Sequence, residues 1–262
     1  MFNIDNKKRI VIKVGTSTLT HRTGRLNLRR VEKLVKVMSD IHNSGKDIIL
    51  VSSGAVSLGM SKMGLMQRPS DTPTKQACAS VGQCELMYMY DKQFGEYGLT
   101  VGQVLLTKYV LENDSRINVK NTLNKLLEHG IIPVINENDT VAIDELELEM
   151  GENDSLAAVV GGLASADLLI IMSDIDGLYD SNPNDNPDAK LIPYVEKITD
   201  EIRSLAGGPG SKLGKGGMIT KIKAAEIANE NGMDMIIVNG RNPSVLYRIF
   251  DGEEAGTVFA AN

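Results

Sequence analysis

Residues 9–19 read RIVIKVGTSTL. The first six, Arg9–Val14, form a run rich in Val and Ile without strict polar alternation. That is the pattern of a strand covered on both faces. Working outward, five further runs of this kind follow at Asp47–Ser52, Leu99–Thr107, Ile131–Ile135, Asp167–Ser173 and Met233–Val238. Longer amphipathic stretches separate them. Residues 27–43 place Leu28, Val31, Leu34, Val35, Met38 and Ile41 at three- and four-residue steps, and Gly45 follows as a helix stop. Asn113–His129 ahead of Gly130, and Met218–Asn231 ahead of Gly232, repeat the design. This strand–helix–glycine cadence predicts a mostly parallel α/β sheet. Thr140–Gly151 and Gly177–Pro193 interrupt it and read as hairpins or excursions near the carboxyl ends of strands, where open α/β sheets hold ligands.

The composition narrows the function. The chain of 262 residues carries 34 acidic and 28 basic side chains, a net charge of −6. An acidic balance disfavours nucleic acid as the main partner, while leaving room for a locally basic pocket that takes a small phosphorylated ligand. No run approaches the ~20 apolar residues of a membrane span. The start lacks a secretory apolar region and cleavage site, so a cytoplasmic protein is expected. No linker, repeat or charge block marks a boundary, which predicts one domain over residues 1–262. Cys78 and Cys84 match no metal spacing and read as buried reduced thiols, six apart and on different faces of a helix over 74–94.

Several chemistries are excluded by what is missing. GPGSKLGKGG at 208–217 lacks the Walker spacing, and no G-x-G-x-x-G or G-x-S-x-G occurs. His21, His42 and His129 fall on a loop and two helix ends, as surface or capping residues, which argues against zinc hydrolysis and Ser-His-Asp catalysis.

Five positive signals remain. Lys13 lies inside an apolar run, so either it reaches solvent from an edge strand or it needs an anionic partner. Gly15, Thr16 and Ser17 beyond it offer groups to phosphate oxygens. Ser52, Ser53 and Gly54 in VSSGAVSLG are either an ordinary helix cap or an anion seat at a helix N-terminus. PVINENDT and GENDSLAA place Asn138, Asp139, Asn153 and Asp154 close together. That set suits a ligand carrying both an ammonium and a carboxylate, although capping and Asx turns explain part of it. Asp154 would either hold Mg²⁺ or orient lysines. Ser173 and Asp174 end a strand ahead of a glycine. Gly216 and Gly217 open a helix as an anion nest, with Lys221 one turn further on. Two separated lysines, two anion nests and no obvious general base read as phosphoryl transfer to a carboxylate, which has no proton to remove.

In this order VIKVGTSTL, VSSGAVSLG, KQACASVGQ, PVINENDT, GENDSLAA, SDIDGLY and GKGGMITKIKAA resemble the amino acid kinase family, from about Lys8 to about Phe259. Within it they resemble the branch that phosphorylates the side-chain carboxylate of L-glutamate in the first step of proline synthesis. The resemblance implies a three-layer αβα sandwich around a mainly parallel sheet, with ATP as donor and Mg²⁺ carried by the nucleotide. It implies that Lys13 and Lys221 neutralise the phosphoryl group in transit and that Asp154 orients them. Ser53, Gly54, Asn138, Asp139 and Asn153 would hold glutamate. Lys13, Gly15, Ser173, Asp174, Lys215, Gly216, Gly217, Met218 and Lys221 would contact ATP. L-proline as feedback inhibitor and a homo-oligomer, dimer or tetramer, are further implications.

Three departures stand out. Ser173 replaces the family's usual threonine, Lys215 stands at a hydroxyl position of the Gly-rich loop, and a C-terminal PUA domain is expected to be missing. Thr16 after Gly15, where several relatives have a second glycine, favours the glutamate branch over acetylglutamate kinase, aspartokinase and UMP kinase. A catalytically silent amino-acid sensor is the other alternative, and the presence of both lysines and Asp154 speaks against it.

Overall fold

In the computed structural model the described residues are 2–21, 23–112, 114–141, 153–183, 185–207 and 217–261. Along the chain run β1 (Arg9–Val14), α1 (Thr16–Leu19), α2 (Leu28–Asn43), β2 (Asp47–Ser52), α3 (Ala55–Lys62), α4 (Thr72–Gly95), β3 (Val101–Leu106), α5 (Lys108–Glu112), α6 (Arg116–Glu128) and β4 (Ile132–Glu137). They continue as α7 (Asn153–Ala164), β5 (Leu168–Ser173), β6 (Tyr194–Val195), α8 (Asp200–Leu205), α9 (Gly217–Glu230), β7 (Asp234–Asn239), α10 (Val245–Phe250) and β8 (Thr257–Phe259).

The strands form one sheet in the order β3-β4-β2-β1-β5-β7-β8-β6. Neighbours from β3 to β7 are parallel, and β8 runs antiparallel to β7. The apolar strands alternate between two cores. Ile10, Ile12 and Val14 pack with α2, α4 and α10, whereas Val11 packs with α6, α7 and α9 on the other face. Helices on both faces make this a three-layer αβα sandwich. Burying one such aliphatic side chain contributes about 1.5–3 kcal/mol, so the two cores hold the fold and leave the strand ends free for polar chemistry.

Two features position the site. The chain leaves β1 for β2 on one side and returns to β5 on the other, so strand order reverses at β1. Ligands of open α/β sheets sit at the carboxyl ends at such a reversal. Secondly, α3 and α4 approach to backbone contact at two glycines. A Cβ on Gly82 would lie 1.8 Å from the Ala55 carbonyl oxygen, and one on Gly59 1.8 Å from that of Cys78.

Sequence periodicity locates the six long strands within about two residues. It misses β6 and β8, which are too short to show a period. Cys78 is buried, but Cys84 is exposed, correcting the expectation of two buried thiols. Six residues turn a helix by about 600°, so only one of the pair faces the core. Gly177–Pro193 is an excursion closed by an antiparallel bridge between Tyr179 and Leu191. Most of Thr140–Gly151 lies outside the described residues. Among those described, no helix is long and apolar enough to cross a membrane.

Candidate active site

Lys13 is the penultimate residue of β1, a central strand, and only 7% of it is exposed. It therefore does not reach solvent from an edge. Its strand parity points it to the α7 and α9 face, where Asp154, in the first turn of α7, is fully buried. Lys13 Nζ stands 2.6 Å from Asp154 Oδ1, and Lys221 Nζ, from α9, 3.0 Å from Oδ2. Lys221 also donates to the Gly217 carbonyl at 3.1 Å. One carboxylate thus holds two ammonium groups, and the trio keeps one net positive charge.

Burial alone pushes the Asp154 carboxyl up, but the two lysines outweigh it and hold it below the ordinary aspartate value. A pKa lowered on folding adds stability above the unfolded value, and that stability is lost as pH falls through the lowered value. The Asp154→Asn variant should therefore be less stable than the parent at pH 7, and the gap should narrow in acid. Denaturant titrations across pH measure it, and a gap that is constant with pH would contradict the assignment.

A chain of amides forms a second wall. Asn153 Nδ2 donates to Ser53 Oγ and Asn136 Oδ1, both at 2.9 Å, and to the Ser52 carbonyl at 3.3 Å. A backbone carbonyl only accepts, so this contact fixes which way the Asn153 amide faces. Asn136 must then present its oxygen to Asn153 and its Nδ2 to Gln83 Oε1, at 2.9 Å. Ser52 Oγ lies 2.8 Å from the buried Tyr90 hydroxyl, whose pKa burial raises. Helix α4, which bears Gln83 and Tyr90, thereby braces this wall from behind, through Asn136 and Ser52.

Both lysines, Gly15, Ser53, Gly54, Asp139, Asn153, Ser173, Asp174 and Gly217 line one cavity of about 740 Å³. The starts of α3, α7 and α9 all reach it, and helix N-termini favour anions. Gly54 adopts φ 110°, a left-handed turn suited to glycine, and so delivers α3 to the cavity. Ser173 Oγ donates to Asp174 Oδ1 at 3.2 Å. Cations, helix ends and amides beside the carboxylates of Asp139 and Asp174 suit a polyphosphate and an amino acid held together.

Two predicted residues stand elsewhere. Asn138 is a turn residue, its N–H bonded to the Leu106 carbonyl at 2.7 Å. Met218 packs against the core beneath α9. Lys215 and Gly216 lie outside the described residues. Sequence reasoning placed Thr16 and Ser17 correctly at the cavity but passed over Asn136, Gln83 and Arg68 as cavity or supporting residues. For Asn136 the signal was present, since β4 runs on to Glu137 and carries Asn136 to the cavity.

Each Asp154 carboxylate oxygen faces one lysine ammonium group, at 2.6 Å and 3.0 Å. Among the described residues no group of three His, Cys, Asp or Glu side chains is placed to cage an ion. Asp174 offers a hard oxygen at the cavity wall, the kind of single carboxylate that accompanies Mg²⁺ bound chiefly by phosphates and water.

Comparison with known proteins agrees with this arrangement. Residues 8–239 match the amino acid kinase family. Glutamate 5-kinase of Clostridium perfringens is 54% identical over 98% of this chain and 97% of that protein. Glutamate 5-kinase of Listeria monocytogenes is 55% identical over 99% and 95%. Among solved structures, carbamate kinase from Giardia lamblia bound to AMP-PNP superposes with a TM-score of 0.70 at 14% identity, covering 98% of this chain and 99% of that one. At that identity the likeness concerns the fold.

Proposed function

We propose that this chain, which belongs to the amino acid kinase family, transfers the γ-phosphoryl group of ATP to the side-chain carboxylate of L-glutamate. The observation that carries the reading is the buried Lys13–Asp154–Lys221 trio at the floor of a cavity with an amino-acid-like amide wall. The names and identities of the glutamate 5-kinases above support it.

The chemistry follows from charge. A carboxylate oxygen attacks phosphorus, the bond from phosphorus to the bridging oxygen breaks, and ADP leaves with its electron pair. The nucleophile carries no proton, so no base is required. Positioning and neutralisation of the transferring group do the work. Lys13 and Lys221 approach that group from opposite sides of Asp154, which fixes the direction of both ammonium groups. The first turn of α9, with Ser173 and Asp174, receives the nucleotide. Asp174 would hold the Mg²⁺ carried by the triphosphate, and the ion would supply charge neutralisation there. Asn153 Nδ2 is tied inward, so Oδ1 is left to accept from the glutamate ammonium, with Asp139 adding negative charge and Ser53 and Gly54 holding a carboxylate. L-proline would compete at this amide wall, and the active form would be a homo-oligomer. We read residues 1–262 as one catalytic domain, in keeping with the single continuous sheet.

The test is ATP consumption with Mg²⁺ and hydroxylamine, comparing L-glutamate, N-acetyl-L-glutamate, L-aspartate and UMP. Hydroxamate with L-glutamate alone is expected, and turnover only with another acceptor overturns the proposal. For the amide wall, Asn153→Ala should raise the KM for glutamate at least tenfold and leave that for ATP nearly unchanged. Gln83→Leu should move the same constant in the same direction by less, and Gln83→Glu, which keeps the accepting oxygen, should restore most of it. Unchanged glutamate KM in both Asn153→Ala and Gln83→Leu would remove this wall from substrate binding.

A further inference from the structure

Two more hollows adjoin the active cavity, of about 730 and 630 Å³, and they share His21, Asn27, Arg30 and Arg241. The inner one opens on the active cavity through shared walls at Thr16, Ser17 and Asp174. The charged lining of the outer one is Arg29, Arg30, Lys33 and Arg241, and no carboxylate lines it among the described residues. This is a concentration of positive charge on a chain of net charge −6.

Three further observations turn this patch into a site. First, Arg29, Arg30 and Lys33 stand in the opening turns of α2, a 16-residue helix with no acidic residue in its first turn. The positive end of the helix dipole lies beside these three cations, with Glu32 as the acid in the same turns, so the balance there stays positive. Secondly, the side chains of Arg29, Lys33 and Arg241 make no ion pair or hydrogen bond among the described residues. Thirdly, Arg30 is anchored. Its Nη1 donates to the Ser17 carbonyl at 2.9 Å and the Thr18 carbonyl at 3.4 Å, both in α1. These acceptors are neutral and occupy one edge of the guanidinium, so its other donors and its whole charge are available. Planar guanidinium groups from two elements around a concave surface match phosphate oxygens.

We propose that the outer hollow binds a phosphate-bearing small molecule, distinct from the nucleotide and the acceptor. Its occupancy tightens α1, whose Thr16 and Ser17 are walls of the active cavity. The ligand is recognised by charge and by the guanidinium fork, and Arg30 carries the effect, since it touches both the ligand and the carbonyls of α1.

Pyrophosphate is the probe. Its binding would be measured calorimetrically at constant ionic strength with excess Mg²⁺, the active cavity being filled with L-glutamate and a non-hydrolysable ATP analogue. Saturable binding of one pyrophosphate per chain is expected, weakened at least tenfold in an Arg29→Ala/Lys33→Ala/Arg241→Ala variant. All three residues are exposed, and the unliganded variant should keep the parent's melting temperature and basal activity. Hydrogen exchange of the Thr16–Thr20 amides should slow with pyrophosphate in the parent and stay unchanged in the variant. Absence of saturable binding, equal binding to the variant, or loss of binding once the ATP analogue is present would each overturn the proposal. Equal affinity for citrate would overturn the phosphate assignment, and stronger retention of a single-stranded RNA than of pyrophosphate would make the surface a nucleic-acid contact instead. None of these readouts depends on which acceptor is phosphorylated.

Discussion

Lys221→Ala lowers kcat by roughly 10²-fold or more and leaves the KM for glutamate close to its starting value. This is the result expected if the ammonium group meets charge that is largest while the phosphoryl group is in transit. The fold should survive the change. Asp154 keeps Lys13 at 2.6 Å, so no buried carboxylate is left bare. Lys13→Ala should have a kcat effect of similar size for the same reason. Asp154→Asn differs in kind, because it leaves two nearly buried ammonium groups facing each other across a neutral amide. Removing one partner of a buried ion pair costs on the order of 3–5 kcal/mol, so that variant should lose stability as well as rate. Steady-state kinetics with both substrates varied, beside a denaturant titration, separate the cases. A Lys221→Ala enzyme with normal kcat and a raised glutamate KM would move Lys221 out of the phosphoryl-transfer role.

The second large effect is expected far from any charge. Gly82→Ala adds one methyl group where the Ala55 carbonyl oxygen would be 1.8 Å away. The obstacle is backbone inside a helix, so nothing can rotate aside and α3 must be pushed from α4. Overpacking a close contact typically costs 1–3 kcal/mol, and a backbone obstacle belongs at the upper end. For a chain of this size that is a fall in melting temperature of about 5–10 °C. Because α3 begins next to Gly54 in the active cavity, the glutamate KM should rise in the same variant. Calorimetric melting and kinetics check both, and an unchanged melting temperature would show that the two helices separate at little cost.

Much of this architecture was legible in the residues. Five of the six long strands announced themselves by being apolar on both faces, whereas β3, at the sheet edge, is only partly buried; glycine stops bracketed the main helices. Lys13 was conspicuous as a charge within such a run, and Asp154 as an acid opening an apolar helix. Their pairing was legible only as one of two roles for Asp154 and as an implication of the resemblance; its geometry was not legible, since residues 13, 154 and 221 meet only through strand parity and the docking of α7 and α9. Asn136 was hidden by a strand boundary drawn two residues short at Ile135, which left Asn138, now a turn residue, in its place. Gln83 lay in a helix whose pattern reads as core, and its amide acquires meaning only from Asn136 across the layer. The cationic hollow likewise joins α2 to the loop after β7, segments some two hundred residues apart, and no local motif signals it.

The order of synthesis gives the lysine–aspartate trio a further meaning. Lys13 leaves the ribosome first of the three, Asp154 second and Lys221 last. At about 5–20 residues per second, the last partner follows the first by roughly ten to forty seconds. During that interval a growing chain has the first lysine and later the aspartate, but no complete phosphoryl-transfer centre. Nascent and truncated chains lacking α9 should therefore be unable to spend ATP, and catalytic competence would wait on the emergence of α9.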